Sequence, residues 1–267
     1  MSILRRISFG FLAFFFGIGF LFNVAPVLAQ SKDEQAAVKE RFEALDNKQD
    51  IDGIVVLWQN NPSVTAFVID TYLEGALALF EQSNGENENK IKAMYDRGLR
   101  GALAADKAFG RKVFSDYASS FIGWDDQQKR QFRSGQKFYG DAKEALKAKR
   151  YEDAFASANE SISVARPLGD WWGVAVAQAV SGIAQEEMLD FQGALVSFSE
   201  ARLLFHNFGM MEDLLRSEIA MARVLIELKR FPRALVSIDY AEPLALQLRD
   251  KDGQEELNVL RSLLHEK

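Results

Sequence analysis

The sequence predicts an all-α protein built as a solenoid of helical hairpins, and three observations support this fold class. An aromatic residue followed three positions later by alanine returns every 40 residues, in stretches that begin at Tyr151, Phe191 and Phe231. Around these stretches, small and large apolar residues keep the spacings of three, four and seven that mark one helix face. Gly169 and Gly209 stand where such helices should end.

Aligned on the 40-residue period, the repeats share four columns of small or apolar residues, one of which is the alanine that follows the aromatic residue. The small residues allow a neighbouring helix to approach closely, and the large ones fill the space beside it. One hairpin cannot bury both of its faces, so successive hairpins must stack. The columns hold Ala142, Gly182 and Ala222; Ala154, Ala194 and Ala234; Ala158, Phe198 and Ile238; and Ser161, Ala201 and Ala241.

These columns resemble the tetratricopeptide repeat family in a 40-residue form. The family's pattern of Gly or Ala, then Ala, a large apolar residue and Ala is met best by Gly182, Ala194, Phe198 and Ala201. The joint "LGDWWGVAVA" also resembles the joint between repeats in that family. The resemblance covers three repeats over roughly residues 132–250 and implies a right-handed superhelix of hairpins.

Boundary signals support the individual helices of the repeats and of a capping helix over residues 251–267. Asp170 is placed to cap a helix, and Asp252 with Glu255 has the spacing of a capping box before the terminal helix. Pro243 falls inside the second helix of the third repeat, where it should kink that helix.

Residues 32–131 show helical periodicity without the repeat columns. Apolar faces run through residues 51–60 and 64–81, and Asp125 with Gln128 forms a capping pair before the first repeat. Two arrangements are open for these N-terminal hairpins: they continue the solenoid by stacking on the first repeat, or they form a small bundle beside it.

Residues 1–29 have the layout of a secretory signal peptide. Arg5 and Arg6 precede an uncharged apolar run, and Val27 with Ala29 supplies the small residues of a cleavage site. An uncleaved membrane anchor is the alternative, because the run is long enough to span a bilayer. We therefore expect a periplasmic or secreted protein, or one that is anchored in the membrane only through this segment.

Composition argues against several kinds of chemistry. The net charge of −6 becomes −8 without Arg5 and Arg6, and no basic block is present, so nucleic acid is not an expected partner. The sequence has no Cys and only two His, which do not fall at metal-ligand spacing. We expect a structural role for His206, and no metal, cofactor or catalytic residue.

Family geometry implies a concave groove lined by the first helix of each repeat. Its positions hold aliphatic residues with charges of both signs, which would suit an amphipathic partner segment. The alternative is that these side chains simply pack against neighbouring helices. The expected partner-binding residues are Tyr139, Lys143 and Leu146 from the first repeat, Val176, Ala179 and Ile183 from the second, and Arg216, Ile219, Arg223 and Ile226 from the third.

The family's peptide-binding members commonly place Asn where this chain has Gly140, Val180 and Ala220. Apolar contacts and rim charges should therefore dominate any binding. The sequence predicts a non-catalytic scaffold that holds another protein or peptide in the cell envelope, with a homo-oligomer also possible. One alternative is an envelope enzyme or accessory protein that acts on a glycan through carboxylates such as Glu186 and Glu187. Another is a sensory module for an effector on a separate chain.

Overall fold

The computed structural model describes residues 32–83 and 87–265, and within these ranges the chain forms twelve α-helices and no strand. The segment interpreted as a signal peptide lies outside the described residues. In chain order the helices are α1 (Lys32–Asn47), α2 (Ile51–Asn60), α3 (Pro62–Ser83), α4 (Glu88–Phe109), α5 (Val113–Gly123), α6 (Asp126–Lys147), α7 (Tyr151–Ala165), α8 (Trp171–Glu187), α9 (Phe191–Phe208), α10 (Met211–Glu227), α11 (Phe231–Leu248) and α12 (Lys251–His265).

Helices α6 to α11 form three hairpins in which each helix packs on the next, and α12 packs on the last hairpin. The predicted all-α solenoid of helical hairpins is therefore confirmed. The four columns of small and apolar residues are buried in all three repeats. Gly182 shows why its column must be small, because a Cβ there would lie only 2.7 Å from the ring of Phe198.

Each of the three hairpins turns through a residue with a left-handed backbone. Lys149, Leu189 and Lys229 have φ angles of 56°, 63° and 56°. Between repeats, Gly169 and Gly209 adopt the same conformation, with φ angles of 70° and 69°, as expected for glycines that end helices. The 40-residue period therefore contains two such joints, one within each hairpin and one after it.

Four helix starts share an aspartate cap that sequence analysis recognised only at Asp170. In each, the aspartate side chain accepts a hydrogen bond from the amide of a glycine three residues later, at 2.8–3.0 Å. Glycine suits this position because a Cβ would collide with the capping carboxylate, most severely in the second and third pairs. The pairs are Asp50 with Gly53, Asp170 with Gly173, Asp190 with Gly193, and Asp250 with Gly253.

The last of these caps corrects the predicted start of the terminal helix. Asp250 caps α12, and Asp252 lies within the first turn of that helix. Arg249 takes a left-handed φ of 55° and ends α11, which puts the next residue at the capping position. Elsewhere the capping box of Asp125 and Gln128 is confirmed, with both hydrogen bonds present. α11 continues on both sides of Pro243, and the kink expected at this proline stays a prediction.

Helices α1 to α5 form a bundle that sits beside the repeats. Its buried core holds Phe42, Trp58 and Phe121, and it also takes in Phe208 from the end of α9. The ring of Phe208 meets Phe114 edge-on at 5.7 Å. Helix α5 also contacts α9, and α3 contacts α10. Because it touches the second and third repeats, this N-terminal bundle does not simply extend the solenoid from its first hairpin.

Two hydrogen bonds fasten the bundle to the ends of the second helices of the hairpins. The indole Nε1 of Trp124 donates to the carbonyl of Leu168 at 2.9 Å, after α7. Arg111 donates to the carbonyl of His206 at 2.7 Å, in the last turn of α9. The end of α9 carries partial negative charge, and the cation of Arg111 stabilises it.

Helix α3 is long and apolar enough, by length and composition alone, to cross a bilayer. Half of its apolar window is buried inside the protein, and Val68, Leu73 and Leu77 are completely buried in the bundle core. A core helix of a globular bundle has this composition.

Candidate functional site

The groove is the face formed by α6, α8 and α10, the first helices of the three hairpins. The N-terminal bundle lies against the beginnings of these helices: Phe132 of α6 belongs to its core, and Trp171, Trp172 and Met210 pack against it. Both tryptophans are half-buried there. The opposite ends of the helices carry the exposed residues Lys147, Glu187 and Glu227.

In the first repeat, Tyr139 and Leu146 are half-buried and pack against the small cluster of Ala142, Ala158 and Val180. The ammonium of Lys143 lies 4.4 Å from the centroid of the Tyr139 ring, within range of a cation–π contact. Burial raises the pKa of Tyr139 to about 12, with a further contribution from a carboxylate on α10. Its phenol is thus neutral at ordinary pH.

In the second repeat, Val176, Ala179 and Ile183 are half-buried along α8. They pack against the edge of the core formed by α9, α10 and α11 and keep part of their surface open. Together with Tyr139 and Leu146 they form a row of partly exposed apolar side chains on two adjacent first helices.

The third repeat departs from expectation. Ile219 and Ile226 are only 4 % and 5 % exposed and belong to the core, so their side chains have almost no surface to offer a partner. Helix α10 contacts α9, α11, α12 and α3. Arg216 is exposed, and Arg223 is half-buried.

Arg223 connects three helices. Its Nε and Nη2 donate to the two carboxylate oxygens of Glu186 on α8 at 2.8 and 3.0 Å, and its Nη1 donates to Glu256 on α12 at 2.5 Å. Burial lowers the pKa of Arg223, but the two carboxylates outweigh it and the net shift is upward. We infer that Arg223 holds the floor of the groove in shape, with its donors already engaged.

Sequence analysis missed Asp213, in the first turn of α10. Burial raises the pKa of this carboxyl to about 7, although Arg216 nearby opposes the rise. The charge of Asp213, across the groove, also contributes to the raised pKa of Tyr139. The sequence carries no signal for this proximity, since 74 positions separate the two residues and only the packing of the helices relates them.

Sequence analysis also missed the polar contacts that close one end of the groove. Arg133 of α6 donates to Glu74 at 2.7 Å and to both oxygens of Glu81 at 2.8 and 2.9 Å, and these carboxylates lie on α3. Gln136, next along α6, donates a hydrogen bond to Glu74 as well. The N-terminal bundle therefore occupies the end of the groove where the first helices begin.

Gly140, Val180 and Ala220 provide no side-chain amide to a partner. Val180 and Ala220 are 6 % and 5 % exposed, and Gly140 has open space where a side chain would be. Backbone gripping by side-chain amides is therefore not available at these three sites.

Glu186 and Glu187, the carboxylates of the enzymatic alternative, differ in their contacts. Glu186 is committed to Arg223, and Glu187 is exposed one residue further along α8. Among the described residues, no group of three His, Asp or Glu side chains is placed to hold a metal ion. His206, the only histidine whose side chain is described, stands beside Arg111 at the edge of the bundle.

Comparison with protein-family models finds no match for this chain, and comparison with curated proteins finds none either.

Proposed function

We propose that the chain is a non-catalytic binding module of the cell envelope that holds a segment of another protein in the groove. The proposal rests on one observation: five apolar side chains on two adjacent first helices remain partly exposed, although the N-terminal bundle packs beside them. They are Tyr139, Leu146, Val176, Ala179 and Ile183.

The direction of entry follows from what already fills the groove. One end is taken by the contacts of Arg133 and Gln136 with α3. A partner segment enters from the other end, where Lys147, Glu187 and Glu227 are exposed. The apolar row supplies the contact area, and these charges, of both signs, orient the segment at the rim.

The proposal also includes where in the cell the protein acts. Residues 1–29 have the composition of a secretory signal, so the module acts outside the cytoplasm or at the membrane surface. Cleavage after Ala29 is tested by N-terminal sequencing of the protein recovered from the cell envelope. Mature protein that retains Met1 would instead favour the uncleaved anchor.

The groove is tested by crosslinking the chain, from Gln30 onwards, to its neighbours in the native envelope. The binding variant carries Leu146→Asp and Ile183→Asp, which place two charges in the apolar row. The matched control carries Val196→Asp and Val236→Asp, at residues that are 61 % and 68 % exposed on the outer helices α9 and α11. Circular dichroism must show that both variants are folded.

We expect one crosslinked protein to be recovered with the wild type and the outer-face control and lost with the groove variant. The binding is then measured with the purified partner by calorimetry. Equal recovery with all three proteins would refute the groove as the binding site. Loss with the outer-face variant alone would assign binding to α9 and α11.

A further inference from the structure

Gly140 differs from the other glycines that lie inside the described helices. Glycine weakens a helix interior relative to alanine, so it is expected where a larger residue would not fit. Beyond the first turn and before the last residue of a helix, each other described glycine would place a Cβ within 3.3 Å of a side chain on a neighbouring helix. For Gly140, apart from its own stretch of helix, no atom lies within 4 Å of that place, and its backbone is not left-handed. The fold therefore does not require glycine at residue 140, unlike at Gly75, Gly98, Gly101, Gly135 and Gly182.

Gly140 lies on the groove side of α6. It follows Gln136 by four positions and precedes Lys143 by three, so the three residues share one face of the helix. Its counterparts one and two repeats later, Val180 and Ala220, are buried, whereas Gly140 is half-buried. Because glycine has no side chain, the wall of the groove at this point consists of the main chain of α6.

The two groove residues one turn away from Gly140 are held away from it. The side-chain amide of Gln136 donates a hydrogen bond to Glu74 on α3. The ammonium of Lys143 lies 4.4 Å from the centroid of the Tyr139 ring. Neither side chain therefore covers the main chain at Gly140.

The two remaining neighbours, one turn away on the other side of Gly140, are also engaged elsewhere. The ammonium of Lys137 donates to Asp141 at 2.6 Å. The side chain of Glu144 lines a shallow cavity between α6 and α7. All four side chains that could cover Gly140 thus leave it open, at the edge of the row of partly exposed apolar side chains.

We propose that Gly140 is the point at which the main chain of the partner segment crosses α6, in direct contact with the helix backbone. This inference rests on the proposed function of the groove and adds where the segment lies in it. A Cβ at residue 140 would stand in the path of the segment, which gives the glycine a role that the fold alone does not give it. The side chains on either side of the crossing pack on the apolar row.

The chemistry of this contact determines which residue of the segment makes it. Inside a helix the backbone N–H and C=O groups bond to one another, so α6 offers no free donor or acceptor at Gly140. What it offers is close van der Waals contact with another main chain. A large side chain on the segment at the crossing would lift its main chain away from α6. The crossing residue is therefore small, with apolar residues beside it.

The test uses a random library of short peptides displayed on phage, which supplies segments without naming the partner in advance. The chain from Gln30 onwards is immobilised, and the peptides that bind it are selected and synthesised. Their dissociation constants are then measured by fluorescence anisotropy with the wild type and with each variant.

Gly140→Ala and Gly140→Leu place a small and a large side chain at the crossing. Both residues favour a helix more than glycine does, so neither variant should unfold the protein, and thermal unfolding checks this. The matched control is Ser134→Leu, which adds bulk to α6 at an exposed residue on another face of the helix. The groove itself is tested with the variant that carries Leu146→Asp and Ile183→Asp.

We expect the selected peptides to share one small residue flanked by apolar residues. They should bind Gly140→Leu about tenfold more weakly than the wild type, with Gly140→Ala in between, because an added side chain in a close contact must push the segment aside. Ser134→Leu should bind them as the wild type does.

The inference and the proposed function can fail separately. Peptides that bind Gly140→Leu as tightly as the wild type but do not bind the groove variant would overturn the inference and leave the proposed function standing. Peptides that bind both variants as tightly as the wild type, or a library that yields no binder, would refute both. An equal loss of affinity with Ser134→Leu would also overturn the inference, since the effect would then not be specific to the crossing.

Discussion

The guanidinium of Arg223 and the carboxylate of Glu186 face each other with two hydrogen bonds of 2.8 and 3.0 Å, so α10 is joined to α8 across the floor of the groove. Glu256 adds a third bond from the capping helix. This pairing of one cation with two half-buried carboxylates joins α8, α10 and α12.

Replacing Arg223 with Met should destabilise the fold by about 2–3 kcal/mol, because both carboxylates lose their cation in a partly desolvated place. The exposed Arg216→Met is the matched control and should change the free energy of unfolding by less than about 0.5 kcal/mol. Urea unfolding measures both. Adding Glu186→Gln and Glu256→Gln to Arg223→Met should restore much of the loss, and no recovery would contradict an electrostatic origin.

The aspartate–glycine caps predict that replacing their glycine with alanine destabilises the protein. In Gly193→Ala, the new Cβ collides with the carboxylate of Asp190 and the amide of Gln185. We expect a loss of about 1–2 kcal/mol, because the cap must be displaced. Gly140→Ala, in the middle of α6 with open space at that position, should instead stabilise by about 0.5–1 kcal/mol. Thermal unfolding followed by circular dichroism would reveal the opposite signs, and equal signs would refute the steric argument.

The bundle and the repeats should unfold as one unit, because Phe208 of α9 is buried in the bundle core. Phe208→Ala should cost about 3–5 kcal/mol and leave a single transition. A fragment from Asp126 onwards should fail to fold stably, since it exposes Phe208, Trp171 and Trp172 together. Two separate transitions in the whole chain, seen by comparing tryptophan fluorescence with circular dichroism, would show independent domains.

The raised pKa of Asp213 predicts that the stability of the protein depends on pH. Its pKa is raised by burial to about 7, so the folded state binds more protons than the unfolded state between the two pKa values. Stability from this group is therefore highest at acidic pH and falls as the pH rises through about 7. Asp213→Asn should stabilise the protein on the order of 2 kcal/mol at about pH 8 and hardly at all at about pH 4.

Urea unfolding at both pH values measures the effect of Asp213→Asn. A suitable control is Asp239→Asn, at an exposed carboxylate that pairs with Arg261. It should not produce the same gain at the higher pH. If Asp213→Asn destabilises at about pH 8, the carboxylate is favourable when charged, and Arg216 or the start of α10 outweighs its burial.

The packing of the repeats could be predicted from the sequence, whereas the arrangement of the N-terminal bundle could not. The buried columns could be predicted from the 40-residue period, because the same local packing recurs. Equivalent positions therefore have the same burial in each repeat. The arrangement of residues 32–123 did not follow, because the bundle depends on contacts such as Phe208 with Phe114 that have no period. The repeated aspartate–glycine spacing was visible in the sequence and could have been found by comparing helix starts as well as helix faces.

The residues of the candidate site were also predicted only in part. Family geometry placed Tyr139, Val176 and Ile183 on a common face, where they are partly exposed. It also placed Ile219 and Ile226 there, but these are buried, because the packing of neighbouring helices around α10 decides exposure. Whether the groove binds a partner stays a prediction.

By itself, the sequence determined the helices, their turns and the stacking of the hairpins, because these depend on contacts between residues that are close in the chain or one period apart. Only the tertiary structure decided that the bundle lies across the repeats, that Arg223 joins three helices and that Arg111 meets the end of α9. These contacts join residues 33 to 95 positions apart, and each depends on how the helices pack. Such proximity arises from the sum of many small packing angles, which no local pattern of residues records.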